Sequence, residues 1–159
     1  MLHTVLVGIH AALGGLAFIA GIVAIRRGRL FTVFMSALVG TIVFLAAALA
    51  VEWSRFSPAE RVIFAALMAL GVYMLVRGVQ ASRLLPSRTS GPTAQYISHL
   101  GFNLIALFDA FVVVLILDLG GPIWLMVTVA AVVAIAGHFL LRAVKHKLAS
   151  GPTTEIHRS

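Results

Sequence analysis

Five polar side chains that could do chemistry lie inside long apolar stretches or one turn from the end of one: His10, His99, Asn103, Asp109 and His138. An ionisable group in hydrocarbon is costly, so it usually faces the protein interior and often marks a functional site. Imidazole rings bind haem iron, and a carboxyl group beside a histidine can hold a proton or a polar ligand group. These five residues are therefore the candidate site residues.

Each of the three histidines shares a helical stripe with small residues. His10 is followed by Gly14, Ala17 and Gly21, at the spacing i, i+4, i+7, i+11 that keeps side chains on one helix face. Small residues let helix backbones approach closely, so we expect three helix–helix contacts that turn the histidines inward. The other two stripes are His99–Asn103–Ala106–Ala110 and Val127–Ala131–Ala134–His138.

Depth in the membrane predicts two pairings among these residues. His10 and Asp109 lie about 12 Å and about 16 Å below the same surface, so they would form a hydrogen-bonded pair if their helices touch. His99 and His138 lie roughly 31 Å and 26 Å from the turn that joins their helices. A b-type haem held between His99 and His138, with His10 as a further ligand, is one interpretation, and hydrogen bonding to neighbouring helices or to interfacial water is the other.

The composition requires an apolar solvent. Of the 159 residues, 61% are hydrophobic and 11% charged, against about a quarter charged in soluble domains. The net charge of +7 has no aromatic-interleaved basic patch, so we predict no nucleic-acid partner. Cysteine is absent, and no nucleotide-binding, hydrolase or metalloprotease motif occurs. We therefore predict no catalytic residues and no metal site, which favours a non-enzymatic role.

Five apolar segments are long enough to cross about 30 Å of hydrocarbon, and backbone in lipid must bond internally as helix. The sequence thus predicts an all-α, polytopic transmembrane bundle over residues 1–148 and a polar cytoplasmic tail at 149–159. Ser57 and Glu60 form a capping-box pattern around Pro58, which predicts that the third helix begins there. The predicted spans are about 2–25, 30–52, 60–78, 96–119 and 123–142.

Lysines and arginines predict the orientation of the bundle. Arg55 and Arg61 alone lie on one side, and every other basic residue lies on the opposite side. By the positive-inside rule the N-terminus is outside and the C-terminus cytoplasmic. The residues on the basic side are Arg26, Arg27, Arg29, Arg77, Arg83, Arg88, Arg142, Lys145, Lys147 and Arg158.

The first helix, with His10 in a glycine–alanine pattern and a basic end at 26–29, resembles a prokaryotic family of predicted multi-pass membrane proteins of unknown function. The segments 71–78 and 97–112 are similar to the family's third and fourth helices, so the likeness covers most of residues 5–115. The family usually opens its second helix with a His-Arg pair before Gly-Arg, and that histidine is missing before Gly28. The resemblance implies a membrane bundle with His10 and His99 at family-typical positions, and no activity.

Three functions fit these patterns. The first is a non-enzymatic membrane subunit or scaffold in the lipid bilayer, packing against other membrane proteins or against a second copy. The second is an electron-transfer protein that binds haem b through His99 and His138. The third is a small proton-coupled transporter centred on Asp109 and His10, with Asn103 as a further polar group.

Overall fold

The computed structural model describes residues 2–86 and 91–149, and within those ranges it contains helices and no strand. A short 3₁₀ turn, Trp53–Arg55, follows the second helix. Residues 150–159, on which the predicted tail falls, lie outside the described part of the chain. The five helices are α1 Leu2–Arg27, α2 Phe31–Glu52, α3 Pro58–Ser82, α4 Ala94–Asp118 and α5 Ile123–Ala149.

All five helices are long and apolar enough to cross a bilayer, with 18-residue windows of mean hydropathy 2.1 to 2.4. The prediction of an all-α bundle of five transmembrane helices is confirmed, and the chain is a multi-pass membrane protein. Helices α3 and α5 run beyond the predicted lipid-spanning segments, to Ser82 and Ala149. They continue because neither helix meets a proline where its apolar run gives way to basic residues, and α3 continues through Gly78, which is buried.

Local sequence accounts for two of the connections. Gly28 at φ 65° and Leu30 at φ 60° reverse the chain between α1 and α2. Before α3, the Ser57 hydroxyl accepts from the backbone N–H of Glu60, and the Glu60 carboxylate accepts from the backbone N–H of Ser57. The predicted capping box is therefore confirmed, with Pro58 as the first helical residue.

The centre of the bundle is the small-residue face of α1. Ala17, Ala20 and Ala24 are almost fully buried. A methyl group on Gly21 would lie 2.7 Å from a methyl carbon of Leu104 on α4 and 3.1 Å from the ring of Phe34 on α2. Lipid gives helices no hydrophobic incentive to associate, so this close packing is the contact that joins α1 to both neighbours.

Helix α4 is the second organising element, because it packs against α1, α3 and α5. On the α1 side, the hydroxyl of the buried Tyr96 donates to the carbonyl oxygen of Ala24 at 2.8 Å. On the α5 side, a methyl group on Gly137 would lie 2.6 Å from Ile105. Helices α3 and α5 lie on either side of α4 and make no extensive contact with each other within the described residues.

The Tyr96–Ala24 hydrogen bond gives a test of this packing. We expect Tyr96→Phe to lower the free energy of unfolding by about 1 kcal/mol, because it removes one buried hydrogen bond and leaves the ring in place. Tyr73→Phe is the matched control, since the Tyr73 side chain is 47% exposed. Thermal unfolding in detergent measures both. An equal midpoint for the two variants would contradict the role given to Tyr96.

Candidate functional site

His10 is engaged by α2. Its Nδ1 lies 2.8 Å from the carbonyl oxygen of Thr41, whose own hydroxyl donates to the carbonyl oxygen of Ala37. A carbonyl oxygen only accepts, so Nδ1 of His10 is the donor in this bond and carries the proton. The inward orientation predicted for His10 is observed, with a backbone carbonyl as its partner.

No hydrogen bond joins His10 to Asp109 in the part of the chain that the structure describes. Helices α1 and α4 do touch, but α4 presents Leu104 to α1 and Ile105 to α5. At 100° per residue, Asp109 lies about 140° around the helix from Leu104 and only about 40° from Ile105. The predicted pairing therefore fails because Asp109 is on the α5 side of α4.

Asp109 is the most unusual carboxyl group among the described side chains. It is half-buried within the span of α4, and its Oδ1 is fully buried with no hydrogen-bond partner there. Leu141 packs beside Gly101 and Ile105 beside Gly137. Continuing this antiparallel register by one turn places Asp109 at the level of Val133 on α5.

His99 and Asn103 lie one turn apart on a buried face of α4. The Asn103 side-chain amide donates to the carbonyl oxygen of Met74 on α3 at 3.1 Å. His99 is 8% exposed, and Asn103 is fully buried. The stripe predicted from His99 to Ala110 therefore includes a contact between helices of this chain, in which the Asn103 amide helps to attach α3 to α4.

The stripe on α5 is exposed instead of packed against another helix of the described chain, contrary to our prediction. Val127, Ala131, Ala134 and His138 are all exposed, and Val127 is 63% exposed. Instead, α5 meets α4 through Met126, which is 3% exposed, and through a face about 100° away. The prediction that this stripe contacts a helix of the same chain, with His138 inward, is wrong.

A cleft of about 460 Å³ opens between α3, α4 and α5, at the end of the bundle where α3 and α5 finish and α4 begins. We call this end of the bundle, where most of the lysines and arginines lie, the basic end. His138 lines the cleft and His99 does not, so a haem bound by both rings stays a prediction for an absorption spectrum to test. The lining residues are Arg77, Ser98, Phe102, His138, Leu141 and Arg142.

Arg77 is the cleft residue that the sequence pattern did not single out. Its guanidinium carbon lies 5.2 Å from the ring centre of Phe102 and 5.9 Å from that of Tyr73. One terminal nitrogen donates to the carbonyl oxygen of Ser98 at 3.2 Å. From the sequence, Arg77 and Arg142 are predicted only to orient the bundle in the membrane. The Tyr73-to-Arg77 spacing of one helical turn is the signal that predicts a stacked arginine.

Comparison of the chain with protein-family models, with curated proteins and with solved structures found no significant match. The resemblance based on α1, α3 and α4 therefore stays a prediction. A function has to be argued from the residues themselves, chiefly from the α5 stripe, Asp109 and the cleft at the basic end.

The environment of Asp109 predicts an unusual response to mutation. We expect Asp109→Leu to raise the thermal midpoint in detergent, because it removes a buried oxygen that lacks a partner among the described groups. Asp109→Asn is the matched control, since it keeps the shape and a polar group. A midpoint for Asp109→Leu below that of the wild type would show that the fold needs this carboxyl group.

Proposed function

We propose that this protein is a non-enzymatic subunit of a membrane assembly, and that the α5 stripe is its contact with a transmembrane helix of another chain. The observation that carries the proposal is the exposure of Val127, Ala131, Ala134 and His138 on a helix whose only extensive neighbour among the described elements is α4. We also infer that the assembly lies in a prokaryotic cytoplasmic membrane, with the basic end in the cytoplasm.

Lipid alone gives no reason for this combination of side chains. A lipid-facing surface is satisfied by large aliphatic residues, whereas small residues shorten the distance at which two helix backbones pack. A histidine at the end of such a stripe supplies a hydrogen bond across the contact. The α5 stripe therefore has the composition of a helix–helix interface on a surface that this chain leaves open.

A stripe with the same spacing on α1 already forms a helix–helix contact within this chain. The stripe from His10 to Gly21 on α1 has the same four-position spacing, with the histidine at its first position. There, Ala17 is fully buried, Gly21 packs on α2 and α4, and His10 bonds a backbone carbonyl of α2. By analogy, His138 would donate to a backbone carbonyl of the partner helix while Ala131 and Ala134 pack on its backbone.

Substitution of one stripe alanine tests this proposal. We expect Ala131→Phe to release the partner during purification from native membranes in mild detergent, because a phenyl ring keeps the two backbones apart. Ala136→Phe is the matched control, since Ala136 is also exposed on α5 and lies about 140° around the helix from Ala131. Native mass spectrometry of the purified material identifies what is released.

Three results are informative. The proposal is supported if a protein other than this chain co-purifies with the wild type and with Ala136→Phe but is lost from Ala131→Phe. Loss of a second copy of this chain instead would identify the contact as a homo-oligomer and overturn the assignment as a subunit of a mixed assembly. A wild-type chain that purifies from native membranes as a monomer would contradict the proposal altogether.

A second candidate, a proton-coupled transporter, is favoured by the buried Oδ1 of Asp109 between α4 and α5. A carboxyl group held within a span without a partner among the described groups is typical of proton relays. Because His10 bonds Thr41, Asp109 is the residue on which this function would depend. Transport into vesicles should be abolished by Asp109→Asn, and unchanged flux in that variant would contradict the transporter hypothesis.

A further inference from the structure

Two arginines, Arg77 and Arg142, face the cleft at the basic end, and neither forms an ion pair with a carboxylate of the described residues. Within residues 2–86 and 91–149, the recorded ion pair is that of Arg55 with Glu52, at the opposite end of the bundle. Asp109 follows Phe102 by seven residues along α4, or about 10 Å, and it does not line the cleft. The cleft therefore combines two positive charges with no acid among the described residues that line it.

The guanidinium group of Arg77 is positioned in this cleft by contacts with two aromatic rings and one backbone carbonyl. The rings of Phe102 and Tyr73 support the guanidinium, and the bond to the Ser98 carbonyl uses only one of its donors. Its Nε is fully buried and has no hydrogen-bond partner among the described groups. A stacked guanidinium with unused donors is well suited to a planar, bidentate contact with a phosphate or carboxylate.

Helix α5 contributes Arg142 and His138 to the lining of the cleft. They are one turn apart on α5, both are exposed, and neither forms an ion pair within the described part of the chain. Two guanidinium groups that face one cleft repel each other unless an anion lies between them. The lining thus places positive charge on both sides, from α3 and from α5.

The remaining lining is apolar and continues into the membrane. Phe102 and Leu141 form its apolar part. Because α3 and α5 pack on α4 rather than extensively on each other, a groove on α4 remains between them, along which Ser98, Phe102 and Ile105 are half-buried. Ser98 lies four residues from the start of α4, about 6 Å along the helix, which is the depth of a lipid headgroup rather than of the hydrocarbon centre.

We propose that this cleft binds the phosphate of an anionic membrane lipid, held between Arg77 and Arg142, with an acyl chain along the groove of α4. Basic pockets between transmembrane helices are suited to such headgroups. The shared chemistry is that of a phosphate anion, and the apolar groove favours a lipid over free phosphate. The proposal requires neither Asp109 nor the hydrogen bond proposed for His138.

The test uses the full chain in mild detergent. Thermal midpoints and native mass spectra are recorded with phosphatidylglycerol, with phosphatidylcholine and with inorganic phosphate. We expect phosphatidylglycerol to bind and to raise the midpoint, with at least about tenfold weaker binding of phosphatidylcholine, because only the first lipid has net negative charge. We expect no stabilisation by inorganic phosphate at the same concentration.

Variants assign the effect to the cleft. Arg77→Gln and Arg142→Gln should each weaken phosphatidylglycerol binding by about tenfold, the loss expected when one charged contact to phosphate is removed. Arg83→Gln is the matched control, since Arg83 is an exposed arginine at the same end that does not line the cleft. Arg142 is exposed, so its variant keeps the test decisive even if Arg77→Gln fails to fold.

Each remaining outcome overturns the proposal. Equal binding of the two lipids would show that charge is not recognised. An equal loss with Arg83→Gln would show that the basic end attracts lipid without a defined site. If inorganic phosphate raises the thermal midpoint as much as phosphatidylglycerol does, the ligand is a free anion and the assignment to a lipid is wrong.

Discussion

The close approach of α1 to α2 and α4, through alanine and glycine on one face of α1, is the contact on which the rest of the bundle depends. Gly21 packs on Leu104 and Phe34, and Ala24 receives the hydroxyl of Tyr96. Because a bilayer offers no hydrophobic gain for helix association, shape and hydrogen bonding have to supply it. Once α4 is held against α1, its remaining faces are available to α3 and α5.

Polar groups in the spans attach helices to one another wherever a backbone carbonyl is within reach. His10 bonds the carbonyl of Thr41, Asn103 that of Met74 and Arg77 that of Ser98. Each bond joins two different helices. This pattern makes Asp109 stand apart, since its buried Oδ1 has no such bond within the described residues.

The five helices are predictable from the sequence, because the thickness of a bilayer requires an apolar segment of about 20 residues for each span. The inward face of α1 was also predictable, since its small residues repeat at helical spacing. The α5 stripe was misassigned because periodicity defines a face without saying which chain covers it. The true contact face of α5 includes Gly137, about 100° from the stripe. The cleft was not predictable, because Arg77, Ser98 and Arg142 come together only when three helices pack.

We propose that the α5 stripe is covered by a helix from another chain, and this contact can be tested in the native membrane. Since the protein has no cysteine, single cysteines can be introduced at Ala131 and at Ala136 and spin-labelled without background. Oxygen accessibility, measured by electron paramagnetic resonance in polymer-bounded discs cut from native membranes, reports which label faces lipid. We expect a label at position 131 to be protected from oxygen and a label at position 136 to be exposed to lipid. Equal, high accessibility at both positions would contradict it.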